Sequence, residues 1–189
     1  MRNKNTEDYW NKKLSKISAS RSVMHKRILL YRFLVRFLGR NKEFTLLDVG
    51  CGVGLGLVCL AQHCPRAHFY GLDLSSWAIT HARARYRGIK FLHADIRSYE
   101  FTRDFDYISI VRTLEHLENP FTILDKCLEA SPMVFVSVPK PGTFCTEHIT
   151  EFEDGSFDEY EAKELGNPKG IHGQNLAIYG KKEMVYEPT

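Results

Sequence analysis

From residue 45 to residue 139 short apolar runs alternate with stretches long enough for a helix, and this alternation constrains the fold more than any other feature. TLLDVG, AHFYGLDL, IKFLHADI, FDYISIV and PMVFVSVP read as strands. Their nearly continuous apolar character suits strands buried on both faces. Between them, GLVCLAQHC, the segment from Ser75 to about Tyr86, and residues 119–130 read as helices. Strand, helix and strand in succession pack through right-handed crossovers onto a parallel sheet. The expected fold class is α/β, a doubly wound and mostly parallel sheet with helices on both faces.

Two helices are expected ahead of the first strand. Residues 6–18 suit a short polar helix with Thr6 as N-cap and Tyr9 and Trp10 on one face. In residues 21–39 an apolar stripe of Met24, Ile28, Tyr31, Val35 and Leu38 is broadened by Leu30, Leu34 and Phe37. Arg32, Arg36 and Arg40 form a row on the other side, and Gly39 offers a stop. A basic amphipathic helix can lie on a membrane surface, but a helix covering an α/β domain is the more frequent use of this pattern. Residues 1–43 are therefore read as an N-terminal helical cover and residues 44–189 as the ligand-binding domain of one compact unit. Beyond residue 140 the pattern weakens: Ser156 to Leu165 suits a helix and QNLAIYGKK a terminal strand.

No apolar run reaches the roughly 18 residues that a membrane span needs. The N-terminus MRNKNTEDYW has no apolar secretory core. Cys51, Cys59, Cys64, Cys127 and Cys145 are odd in number and contain no C-x-x-C pair. The expectation is a cytoplasmic protein with reduced thiols. Net charge is only +3, yet residues 1–43 hold twelve Lys/Arg against three Asp/Glu, and residues 144–189 hold four against ten. Either an anionic partner meets the N-terminal helices, or the basic arm packs beside the acidic tail.

The first strand ends in Asp48-Val49-Gly50-Cys51-Gly52-Val53-Gly54. Glycines there let the backbone turn sharply and approach a ligand closely. The dinucleotide pattern G-x-G-x-x-G does not fit, because it would place glycine at Leu55 or Leu57. Asp73 ends the second strand, 25 residues after Asp48. A carboxylate at a strand end can accept hydrogen bonds from both ribose hydroxyls; the alternative is that Asp73 caps the next helix, a role for which Ser75 is better placed.

In this order, Asp48–Gly54, Gly71–Asp73, His93-Ala94-Asp95-Ile96, Phe105-Asp106-Tyr107-Ile108 and Leu114-Glu115-His116-Leu117, with Pro139 closing the series, resemble the motifs of class I S-adenosylmethionine-dependent methyltransferases. The likeness covers roughly residues 44–140. It implies a Rossmann-like sheet, S-adenosylmethionine as cofactor, and residues 44–189 as the methyltransferase domain. By resemblance the loop with Asp48, Gly50, Cys51, Gly52 and Gly54 cradles the methionine and ribose part, and Asp73 binds the ribose. Asp95 falls where the family binds the adenine amino group, with Leu74 and Ile96 on either side of the base. Arg112 falls where a residue borders the cofactor; its charge serves an anionic acceptor or is simply solvated.

A hydroxyl acceptor must lose a proton, so a base is expected beside the methyl group. His116 is one candidate, a packing histidine being its alternative, and His148 is a second. No metal is expected, because Glu115 and His116 are adjacent and adjacent side chains point apart on a helix. The leading function is O-methylation of a small molecule or saccharide, with an anionic acceptor among the candidates. RNA ribose methylation and a catalytically silent scaffold subunit are the alternatives, and a partner subunit is a further candidate to complete the pocket. Base methylation of nucleic acid is disfavoured, since neither Asn-Pro-Pro-Tyr nor a Pro-Cys dipeptide occurs.

Overall fold

In the computed structural model residues 5–17, 21–143, 146–166 and 173–181 are described. Thirteen segments of regular structure follow one another along them. They are α1 (Glu7–Ile17), α2 (Arg21–Leu34), β1 (Thr45–Val49), α3 (Leu55–His63), β2 (His68–Asp73), α4 (Ser76–Arg85) and β3 (Lys90–His93). After these come β4 (Tyr107–Val111), a 3-10 turn (Leu114–His116), α5 (Pro120–Glu129), β5 (Val134–Pro139), β6 (Tyr160–Glu164) and β7 (Gly173–Lys181).

The seven strands form one sheet in the order β3-β2-β1-β4-β5-β7-β6. Strands β1 to β5 run parallel to one another, while β7 runs antiparallel to both β5 and β6. The order reverses between β1 and β4, which opens a crevice at their carboxyl ends; ligands of open α/β sheets bind at such points. Two apolar clusters fill the two faces. One gathers Leu46, Leu57, Leu60, Phe69, Ile79 and Phe135 under α2, α3 and α4. The other gathers Val49, Ile108, Leu124, Val134, Val136 and Ile178 under α5.

The N-terminal helices form as their sequence suggests. The Thr6 hydroxyl accepts from the Tyr9 amide, the first-turn cap expected of it. Helix α2 ends at Leu34, earlier than its stripe predicts, because Arg36 and Phe37 close tighter bonds to the carbonyls of Phe33 and Leu34. That turn tucks Leu38 inward and leaves Phe37 40% exposed, so the buried face is Leu30, Tyr31, Phe33, Leu34 and Leu38. The Met24 side chain lies outside the described residues.

The helix expected from Ser156 to Leu165 does not form. Turns lead to Tyr160, and Tyr160–Glu164 becomes the edge strand β6. The Tyr160 ring packs with Phe121 and Phe157, and its hydroxyl donates to Asp125. Anchored there, EAKE takes the ladder offered by β7 in preference to its own helical tendency.

Candidate active site

The chain turns sharply after β1, where the amides of Gly50 and Cys51 both donate to the Leu72 carbonyl. Gly50 has a φ of +77° and Gly52 one of +55°, in the left-handed region that disfavours side chains. A Cβ on Gly50 would fall 2.1 Å from the Thr113 hydroxyl, so the β4 loop is packed onto the turn. A Cβ on Gly52 would meet nothing nearer than Arg27 and Leu14 at 3.8 Å. Gly52 therefore presents bare backbone to open space.

That space is part of a crevice at the carboxyl ends of the strands, where ligands of open α/β sheets bind. Gly50, Gly52, Asp73, Leu74, Asp95 and Ile96 line one part of it, and Arg112, Thr113 and His116 another. Asn5, Trp10 and Leu14 cover it from the N-terminal side. Helix α1 is held in place by Asn11, whose side chain accepts from the Ser75 hydroxyl and the Trp77 amide, and by a 2.7 Å ion pair from Lys13 to Glu147.

The Asp73 carboxylate accepts from the amides of Gly52 at 2.7 Å and Ser75 at 2.8 Å. It thereby ties the glycine loop to the start of α4, whose N-cap is Ser75. Burial raises its pKa despite these two bonds. Further donors such as ribose hydroxyls would stabilise the ionised form. Asp95 lies more openly, held by Arg97 through both oxygens, and this pairing lowers its pKa. Leu74, Ala94 and Ile96 supply apolar surface beside it.

Three predicted loop residues stand behind the crevice and do not line it. Asp48 is fully buried, with its oxygens taken by the hydroxyls of Tyr31 at 2.7 Å and Ser109 at 2.6 Å. It fastens α2 and β4 to β1. The Cys51 thiol turns toward Gly71, where any added Cβ would meet it at 2.7 Å. Gly54, at a φ of +79°, caps α3, and its missing Cβ makes room for the Phe91 ring. These positions shape the loop from below.

At the other end, Arg112 is the one described residue other than glycine with a positive φ, +56°. A bulky residue is costly in that conformation, and such strain concentrates at functional sites. Its guanidinium passes close over Gly173, whose Cβ would stand 2.6 Å away. Burial lowers the Arg112 pKa, an effect opposed by the nearby Glu115. Arg27 also reaches the crevice. Sequence reasoning missed it, although a lone arginine one turn before Tyr31 on the buried face of α2 was the available signal.

His116 is half-buried against Trp10, with ring centres 4.7 Å apart, and its Nδ1 lies 3.0 Å from the Glu147 carbonyl. Burial pushes its pKa down to about 4. The ring is thus neutral at pH 7, donating from Nδ1 and leaving the Nε2 lone pair free. It can orient a hydroxyl but holds a proton poorly, so the structure weighs against His116 as a strong base. His148 lies beside it, ring centres 5.4 Å apart, its pKa also lowered by burial.

Comparison with known proteins matches residues 46–130 to a family model described as a methyltransferase domain. The matched segment, residues 46–130, is thus similar to a methyltransferase domain. The chain is 30% identical over 131 residues to phosphoethanolamine N-methyltransferase 1 of Triticum aestivum, covering 64% of this chain and 26% of that protein. It is also 30% identical over 97 residues to the trans-aconitate 2-methyltransferase of Acidovorax sp. (strain JS42), covering 50% of this chain and 38% of that one. The chain thus spans well under half the length of these relatives. Among solved structures, the plantazolicin methyltransferase BpumL in complex with SAH superposes with a TM-score of 0.73 at 16% identity, covering 94% of this chain and 92% of that one. At that identity the likeness speaks for the fold. The matched segment contains the glycine turn, Asp73, Asp95, Arg112 and His116, whereas Trp10, Arg27 and His148 come from outside it.

Proposed function

We propose that the protein is a methyltransferase that uses S-adenosylmethionine to methylate a hydroxyl of a small molecule or saccharide. One observation carries this reading: a single crevice joins the glycine turn, Asp73, Asp95 and Ile96 at one end to Arg112 and His116 at the other. The residues fit the cofactor. Gly52 offers bare backbone, Asp73 an acceptor for hydroxyls, and Leu74 and Ile96 apolar faces beside the Asp95 carboxylate. When bound, S-adenosylmethionine supplies a methyl group already activated on a sulfonium.

The chain's own residues then align and enclose. Gly50, Gly52 and Asp73 fix one end of the crevice, with Asp48, Cys51 and Gly54 as supports below. Trp10 and Leu14 exclude water from above. His116 accepts a hydrogen bond at Nε2 from the acceptor hydroxyl and so orients its oxygen; such alignment alone contributes several kcal/mol. Arg27 and Arg112 favour an acceptor carrying a negative charge. An oxygen acceptor is preferred because the neutral His116, which lines the crevice, can accept the hydrogen bond of a hydroxyl. A small acceptor is preferred to RNA because α1 roofs the crevice, and Arg32, Arg36 and Arg40 are exposed away from it.

The test is incubation with S-adenosylmethionine and matched sets of hydroxylated, carboxylated and amino acceptors, read as methyl gain by mass spectrometry. Transfer to hydroxyls supports the proposal; transfer only to amines or RNA replaces its acceptor. S-adenosylhomocysteine binding without transfer to any acceptor would turn the reading into a silent scaffold. His116→Ala is expected to leave S-adenosylhomocysteine binding within about twofold while slowing turnover by about tenfold or more.

A further inference from the structure

At the acceptor end three side chains converge that the methyl-transfer account does not require as a group. One carboxylate oxygen of Glu115, one ring nitrogen of His116 and one of His148 all lie within 4.8 Å of one another. We propose that Glu115, His116 and His148 form a binding site for a divalent transition-metal ion of the zinc class.

The first support is an orphaned atom. Glu115 is 2% exposed, and its Oε2 is buried without a hydrogen-bond partner. Leaving a buried acceptor unsatisfied costs about 1–3 kcal/mol, and more when it is charged. A cation at the cluster resolves that cost directly.

The second support is the arrangement around the donors. His116 is fixed by the Glu147 carbonyl at Nδ1, which leaves Nε2 as the lone-pair donor. A ring nitrogen of His148 is bonded to the backbone of Thr143. A histidine held through its second nitrogen by a carbonyl is oriented as metal ligands usually are. The segment that carries His148 is strapped to the Glu115 turn: the amides of Ile149 and Thr150 donate to the Glu115 carbonyl, and the Thr150 hydroxyl donates to that of Leu117. The expectation that Glu115 and His116 point apart assumed a regular helix. They stand instead on a single 3-10 turn that becomes extended at Leu117, and His148 closes on them from the strapped segment.

The surroundings select the kind of ion. Lys13 is paired with Glu147, and Arg112 and Arg27 add positive charge near Glu115. That charge opposes any cation alike, so the donors decide: Mg²⁺ and Ca²⁺ want several oxygen ligands, and this cluster offers one carboxylate. Two imidazoles and one carboxylate suit Zn²⁺, and Co²⁺ as its probe. Bonds of about 2.1 Å to a tetrahedral ion bring two ligand atoms to about 3.4 Å, so side-chain rotation must draw the donors together. Three protein ligands leave a position open, and His116 lines the crevice. With an ion bound, His116 Nε2 is occupied, so an acceptor oxygen would meet the ion at this open position in place of its hydrogen bond to His116, a consequence that rests on the methyltransferase reading while the ion site itself does not.

The experiment strips the full chain with a chelator and titrates it with Co²⁺, followed by visible absorption, and then with Zn²⁺ in competition. The prediction is one ion per chain, low-symmetry Co²⁺ bands that Zn²⁺ abolishes, and affinity at least about tenfold weaker in Glu115→Gln, His116→Ala and His148→Ala. S-adenosylhomocysteine binding to the stripped protein is measured in parallel, so that loss of the cofactor reading and loss of the metal reading are told apart. Should Glu115→Gln fail to fold, the partly exposed His148→Ala decides. Absence of Co²⁺ bands, or binding that His148→Ala leaves unchanged, overturns the proposal.

Discussion

Among single residues, the buried carboxylates set the chemistry and are also the most exposed to test. Asp48 is enclosed by two hydroxyls, and burial raises its pKa from 3.8 to about 7. A carboxyl whose folded pKa lies above its unfolded value holds its proton more tightly when folded. Its contribution therefore worsens as pH rises from about 4 to about 7 and is constant above that. Asp48→Asn keeps the shape and can still bond both hydroxyls. The variant is expected to match the wild type near pH 4 and to exceed it by up to about 4 kcal/mol at pH 8, checked by urea unfolding across that range. A constant difference at every pH would contradict the burial account. Asp48 and Asp73 were both visible in the sequence from their strand-end positions, but their separate roles were not. Which carboxylate faces the crevice depends on the register of β1 against β2 and on Tyr31, contributed by a helix the motif does not include.

Elements join at a few close approaches, and α2 on α3 is one of them. A Cβ on Gly56 would stand 2.3 Å from the Tyr31 ring, which is itself bonded to Asp48. Gly56→Ala is therefore expected to destabilise the fold by about 1–3 kcal/mol through overpacking, read as a lowered urea midpoint with unchanged slope. An unaffected midpoint would mean that α2 does not rest there. The strands and central helices were legible because apolar periodicity and turn chemistry are local signals. The β6–β7 hairpin was not, since EAKE favours a helix locally and is decided by its partner strand and by the aromatic cluster under Tyr160. Arg27 and Asn5 escaped notice for the same reason: each reaches the crevice only through the packing of an N-terminal segment.

Across the whole molecule, the uneven charge of the chain is partly met from within. Lys13 of the basic N-terminal region pairs with Glu147 of the acidic C-terminal region, and Tyr9 donates to the same carboxylate. This contact brings the cover helix over the crevice and beside His116. Among the described residues no helix is long and apolar enough to cross a membrane. The reversal of strand order, the bare glycine turn and the roof of α1 together shape the crevice. The central claim is that this crevice holds S-adenosylmethionine or its product, and calorimetric titration with S-adenosylhomocysteine tests it most directly. The account predicts one micromolar site per chain, no response to NAD, and at least about tenfold weaker binding in Asp73→Asn, the loss expected when a charged acceptor is removed. No binding by the folded wild type, or equal binding by Asp73→Asn, would contradict it.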